Sequence, residues 1–231
     1  MSASKLSYQV NKKFSPHLES LDFHKMHRAR NWNKASNNVL CAVQMIPLNN
    51  QQGDLGDVET GSVQVTVGIE YVRSHLGNSL RLRDGLLADG IGICSVRSSL
   101  TRGTDTAGPE RSDIWDIGKL TPAELIADVI AAFDAQAIPF FEQWTNPQFA
   151  YDRLLAGVDR AYPDGTGPLG SAQLFMSARP NSIASFYVLS ELAFRLGRFE
   201  EEADYLERVI EMRGGGPKHE QRLATLRQPK G

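Results

Sequence analysis

Residues 63–71 read VQVTVGIEY. Val63, Val65, Val67, Ile69 and Tyr71 are apolar, and Gln64, Thr66, Gly68 and Glu70 alternate with them. Alternation of period two puts one set of side chains on a buried face and the other set on the opposite face. A one-sided strand of this kind suits an antiparallel sheet, because a parallel strand is buried on both faces and apolar throughout. The stretch therefore predicts an α+β fold: a mainly antiparallel sheet of four or five strands, packed by helices, with a C-terminal helical hairpin appended.

Further strands flank it. Residues 39–46, VLCAVQMI, read as a buried strand, and the polar segment 24–38 as a strand that turns at Asn37-Asn38. Residues 91–101 and the short run 114–117 around Trp115 complete the sheet. Leu6, Val10, Phe14, Leu18 and Leu21 recur at spacings of four and three, which is one face of an amphipathic helix. Pro16 lacks an amide donor and crowds the preceding turn, so a kink or break is expected there. Thr121-Pro122-Ala123-Glu124 is a capping box with proline in the first turn. Leu125, Ile126, Val129, Ile130 and Phe133 form the apolar stripe behind it. Pro139 is expected to break that run ahead of an aromatic cluster, Phe140, Phe141 and Trp144. Asn146-Pro147 opens another helix, to about 157.

The Gly- and Pro-rich stretch 157–172 marks a boundary. It divides the chain into an α+β domain at 1–157, a linker at 158–180, a helical hairpin at 181–216 and a polar tail at 217–231. Asn181 caps the first hairpin helix, and Leu196-Gly197-Arg198 makes the turn. Gly214-Gly215-Gly216-Pro217 stops the second helix, and only Leu223 and Leu226 are left to anchor the tail.

The 231 residues amount to about one and a half domains of ordinary length. Hydrophobic residues make up 41% and charged residues 23%, which excludes wholesale disorder, collagen and a coiled coil. A net charge of −2 argues against a protein that lives on nucleic acid or anionic lipid. The balance is uneven, since residues 1–34 hold seven Lys/Arg against Glu19 and Asp22. Cys41 and Cys94 lie in apolar, strand-like runs and read as buried free thiols. The N-terminus lacks the apolar core of a signal peptide, and no window approaches the roughly 18 apolar residues of a membrane span. A cytoplasmic protein with no membrane partner is the expectation.

No constellation carries a catalytic signature. His24-x-x-His27, with His17 seven residues earlier, would share one face of a continuous helix and could hold zinc. On a strand residues 24 and 27 point to opposite faces, so no metal site is assigned. Lys25, Arg28, Arg30 and Lys34 around Trp32 offer the charge and the ring that single-stranded nucleic acid needs. A charge-protected edge strand has the same composition, and nucleic acid is not the expected partner. Gly165-Thr166-Gly167-Pro168-Leu169-Gly170 has the spacing of a dinucleotide fingerprint. It follows no strand, and Pro168 removes an amide from the loop, so no cofactor is assigned. Asp113 and Asp116 could do acid–base work, but they stand at a helix entrance, where acids are favoured in any case.

Phe186, Leu189, Ser190 and Ala193, followed by Leu196-Gly197-Arg198-Phe199 and Leu206, resemble the outline of one tetratricopeptide repeat. Glu202 stands where such a repeat has a small residue. Residues 14–155 resemble a family of bacterial domains of unknown function. The likeness is carried by Pro16-x-Leu18-x-x-Leu21-Asp22-Phe23-x-Lys25, by the strand from Leu40 to Ile46 with Gln44 inside it, and by Val65-Thr66-Val67-Gly68-Ile69. Cys94-x-Val96-Arg97-x-x-Leu100, the lone Trp115 and Ile138-Pro139-Phe140-Phe141 add to it. Asp22 stands where the family has Gly, and Ser99 where it has a cation. The resemblance implies a small non-enzymatic α+β domain, with an immunity-like binding role.

The leading expectation is a non-catalytic module that binds another protein. Its contact residues would be Phe140, Phe141, Trp144, Arg97 and Trp32, with burial of the cluster between helix and sheet as the competing placement. One alternative is a small-molecule or hydrolase-like site on the open face of the sheet, using Arg97, Glu70 and Asp116. Another is a weak nucleic-acid site in residues 24–34.

Overall fold

The computed structural model describes residues 3–26, 30–48, 62–72, 76, 82–83, 86–87, 94–102, 113–155, 174–176 and 183–228. The chain opens with a helical rod made of α1 (Ala3–Gln9), a π turn (Val10–Phe14) and α2 (Ser15–Ser20). The strands β1 (His24–Lys25), β2 (Asn31–Ser36), β3 (Val39–Pro47), β4 (Val63–Tyr71), β5 (Leu82–Arg83), β6 (Leu86–Leu87) and β7 (Val96–Ser99) follow. A second rod joins α3 (Pro122–Ala132), a π turn (Phe133–Ala137) and α4 (Ile138–Trp144), and leads to α5 (Pro147–Leu155). Then come β8 (Leu174–Met176), α6 (Ile183–Arg195), α7 (Phe199–Glu211) and α8 (Pro217–Leu226).

The main sheet has the order β1-β2-β3-β4-β7-β8, and every pair is antiparallel. This is the α+β architecture the alternation at 63–71 predicts. The edge strands β1 and β8 are short, and β5 and β6 pair separately. Asn37 and Asn38 turn β2 into β3 with φ of 50° and 60°, the left-handed pair that a two-residue hairpin requires and asparagine tolerates.

Register fixes the two faces. Cys41 lies opposite Ile69, Val43 opposite Val67, and Met45 opposite Val65, with Trp32 beyond Val43 on β2. This face is covered by the helices, and its residues share one core with Phe14, Leu18, Leu125, Val129, Phe133 and Trp144. Gln64, Thr66, Gly68 and Glu70 point to the other face.

Neither proline breaks its rod. A proline has no N–H for the carbonyl four residues back, and its ring crowds that carbonyl. Each rod relieves the conflict by widening one turn ahead. The Ser15 N–H donates to the Val10 carbonyl and the Ile138 N–H to the Phe133 carbonyl, five residues back in each case. Pro16 and Pro139 then occupy first-turn positions of the next segment. The two widened turns meet where the rings of Phe14 and Phe133 pack edge to face at 6.2 Å.

The capping box at Thr121 is present. The Glu124 N–H donates to Thr121 Oγ1 at 3.3 Å, and the Thr121 N–H donates to Glu124 Oε2 at 2.9 Å. Hydrogen bonds from the Thr121 side chain, then from its backbone, hold the Glu124 carboxyl below its ordinary value. Asn146 caps α5, taking the N–H groups of Gln148 and Phe149 at 2.9 and 3.1 Å; Asn181 lies outside the described residues. Trp115 makes a single bridge to Val63 rather than a strand, and its indole N–H donates to Asp128 at 2.7 Å.

The C-terminal third differs from expectation. Residues 158–180 contain β8, which pairs with β7, and the tail at 217–231 contains α8. A three-residue strand needs only an open sheet edge, which a Gly/Pro-rich setting does not forbid. Helix α8 buries none of its own residues and is held through Arg222 and, just past its end, Arg227, so it leaves little hydrophobic pattern. Arg222 makes a two-pronged bond to the buried Glu202 at 2.9 Å on each arm. The hairpin of α6 and α7 turns at Gly197, φ +69°, and is no separate body: Phe186, Val188, Leu189, Leu192, Ala193 and Val209 belong to the same core as the sheet. Arg195 fastens it by donating to the carbonyls of Asn37, Asn38 and Val72 at 3.0, 2.9 and 3.3 Å. Among the described residues no helix is long and apolar enough to cross a membrane.

Candidate functional site

The predicted contact residues are mostly interior. Phe140, Phe141, Trp144 and Trp32 are 1%, 8%, 0% and 0% exposed, so the aromatic cluster forms core and not a protein-binding surface. Trp32 packs edge to face on Phe14 at 5.2 Å, which leaves its ring no free side for a nucleic-acid base. Arg97 is half-buried and donates from Nε to the Cys94 carbonyl at 2.8 Å.

Arg97 lies opposite Gly68 in register, which places it on the same face as Glu70. Glu70 accepts from the N–H of Ser95 at 2.9 Å and from its hydroxyl at 2.5 Å. Asp116 is not with them. It accepts from the Ser62 hydroxyl at 3.2 Å and the Gly118 N–H at 2.9 Å, near the Val63 end of β4. Leu40, Ala42, Glu70 and Ser99 on this face are all buried, so it is not the open surface expected for a site.

His17 and His24 sit on different elements. His17 bonds Asp134 at 2.7 Å, and His24 is exposed on β1. His27, Arg28 and the stretch 165–170 lie outside the described residues. Among the described residues no three His, Cys, Asp or Glu are grouped to hold a metal.

A site does open where the ends of the helical layer meet β2 and β3. It is a pocket of about 410 Å³ between the ends of the two rods. On one side the first rod closes in a Schellman turn. The Phe23 N–H donates to the Leu18 carbonyl and the Asp22 N–H to the Glu19 carbonyl, at 3.0 and 3.1 Å. Asp22 takes φ +65° there, the left-handed conformation for which glycine is the default residue. On the other side stand Ile138, Phe141, Glu142 and Thr145 at the end of the second rod. The sheet supplies Lys34 and Cys41, cross-strand neighbours pointing the same way.

The floor is apolar and buried: Phe23, Phe141 and Cys41 are 5%, 8% and 7% exposed. The rim is polar, with Ser20, Asp22, Lys34, Glu142 and Thr145. The rings of Phe23 and Phe141 stand 5.3 Å apart, tilted by 44°. The Lys34 ammonium donates to the Leu21 carbonyl at 3.1 Å and lies 3.6 Å from Asp22. Burial pushes the Cys41 thiol up from 9.0 to about 12, against the pull of the nearby Lys34. Burial also raises Cys94, so both sulfurs stay protonated at neutral pH and are weak nucleophiles.

No family model, curated protein or solved structure matches this chain. The likenesses to a repeat and to a bacterial domain family rest on their quoted motifs alone, and the pocket is read from its own geometry. The sequence reading missed it; the signals that could have found it are a lysine at an inward position of β2 and Asp22 where the turn takes a positive φ. Its walls come from four separate segments, so spacing along the chain does not reveal it.

Proposed function

We propose that this chain is a non-catalytic binding protein that holds a small, partly apolar molecule in this pocket. The observation that carries the reading is the cavity itself, with an apolar floor, a few polar groups on the rim and a volume in the usual range for small-ligand sites. Binding rather than turnover is supported by the state of the lining nucleophiles. The Ser20 hydroxyl donates to the His17 carbonyl and the Thr145 hydroxyl to the Phe141 carbonyl, both at 2.7 Å, and Cys41 is held as the thiol.

A fragment screen followed by protein-detected NMR tests this. Hits should shift the signals of Cys41, Phe141 and Thr145 together, and an Ile138→Trp variant, which fills the cavity from its half-buried wall, should lose them. Hits scattered over the surface, or hits that Ile138→Trp leaves intact, would overturn the reading.

A further inference from the structure

The rim of the pocket carries more negative than positive charge. Two carboxylates, Asp22 and Glu142, face one ammonium, Lys34. That ammonium is already engaged, since it donates to the Leu21 carbonyl at 3.1 Å and lies 3.6 Å from Asp22. The Asp22 side chain is 82% exposed, so this pair leaves it largely open to another cation. Glu142 has no cationic partner among the described residues, and it is exposed.

Backbone dipoles act in the same sense. Both helical rods end at this pocket, one at Leu21 and the other at Thr145. The C-terminal end of a helix carries partial negative charge from its last carbonyls. Beneath the rim lie the rings of Phe23 and Phe141. An aromatic wall tolerates an organic cation well, because the ring face is negative and the alkyl part of the ligand finds apolar contact.

We infer that the pocket takes an organic ammonium ion, a primary or quaternary amine on a compact apolar group. This rests on the pocket being a ligand site, and it adds the sign of the ligand. An organic anion is disfavoured. It would have Lys34 as its only positive contact in the lining and would meet two carboxylates and two helix C-termini.

A matched set of probes tests the sign without changing the shape: 2-phenylethylamine, 2-phenylethanol and 3-phenylpropionate, titrated into the full chain at low salt by calorimetry. The amine should bind roughly tenfold or more tighter than the alcohol, with the acid weakest. About 0.5 M salt should shrink that advantage. Glu142→Gln should cut it to roughly threefold or less; the residue is exposed, and a thermal melt verifies that the variant folds. Alcohol and amine binding equally, or the acid binding tightest, would overturn the ammonium inference while leaving the pocket as a ligand site. Failure of all three probes also overturns it, and the fragment screen then decides separately whether the pocket binds anything.

Discussion

Two glutamates of the C-terminal hairpin are shut away from water: Glu191 on α6 at 1% exposure and Glu202 on α7 at 0%. Each is met by an arginine, in a different way. Glu191 takes Nε of Arg195, one turn along its own helix, at 2.6 Å. The same guanidinium bonds carbonyls of the β2–β3 turn and of Val72, and sits 5.7 Å from the centre of the Tyr71 ring. Glu202 takes both arms of Arg222, which comes from α8. Removing a carboxylate from water costs several kcal/mol unless it is paired. The two sites differ in how water could return if the pair were lost. Exposing Glu191 means parting the hairpin from the sheet. Lifting α8 takes the arginine away from Glu202, and α8 buries none of its own residues. A buried charge costs no more than the cheapest opening that wets it.

The largest effect is expected at Arg195. Arg195→Met should cost about 4 kcal/mol, read as a fall in the urea midpoint. Adding Glu191→Leu should recover only part of it, because the carbonyl bonds that tie α6 to the sheet stay lost. Full recovery would mean those bonds contribute nothing and would erase the contrast. Arg222→Met should cost about 2 kcal/mol, limited by the lifting of α8. Hydrogen exchange should then show α8 amides unprotected and sheet amides unchanged. The pair Glu202→Leu with Arg222→Met should return to within about 1 kcal/mol of the parent. A loss as large as that of Arg195→Met, with α8 still protected, would break the comparison.

Alkaline pH should load the sheet side and spare the α7–α8 contact. Burial raises the Cys41 thiol from 9.0 to about 12, and it raises the Tyr71 phenol despite the nearby Arg195. The unfolded chain begins to release its thiol proton near pH 9 while the folded chain keeps it. The stability linked to Cys41 is therefore complete below pH 9 and is lost as pH climbs toward about 12, at about 1.4 kcal/mol per pH unit. Arg222 is raised by its bonds to Glu202, so the α7–α8 contact should persist through the same window. Urea melts at about pH 8 and about pH 10.5 would show the slope, and Cys41→Ala should flatten part of it; a flat parent profile would refute it.

The smallest effect belongs to Arg227. It bonds Asp204 at 2.7 Å and Glu207 at 3.0 Å in the open, and exposed pairs contribute little. Arg227→Gln should leave the urea midpoint in place and only quicken exchange at the end of α8. A shift comparable to that of Arg222→Met would show that the rim of the α7–α8 contact matters as much as its buried centre.

What could be read from the sequence was local. Alternation at Val63–Tyr71, the cap at Thr121 and the Asn37-Asn38 turn each follow from a few neighbouring side chains, and all three are present. The prolines break neither rod, because the rule concerns the carbonyl four residues back, whereas these rods bond five residues back and continue. The aromatic cluster at 140–144 has the composition of a binding surface and of a core alike; the neighbours that bury it lie elsewhere in the chain. Glu202 was visible as an oddity, a charge where a repeat has a small residue, but its partner on α8 was not. The pocket was the least legible, since no single segment contains more than part of its wall.

The bonds from Arg195 to the Asn37 and Asn38 carbonyls span 158 and 157 residues of sequence. A chain growing on the ribosome makes the β2–β3 turn long before the arginine that fastens it exists. The hairpin and sheet share one core, so a nascent chain that stops short of α6 leaves part of that core uncovered. Contacts this distant in sequence are also slow to close. The final locking of this fold therefore waits for α6, and the interval before it is when the chain is most open to chaperones and proteases.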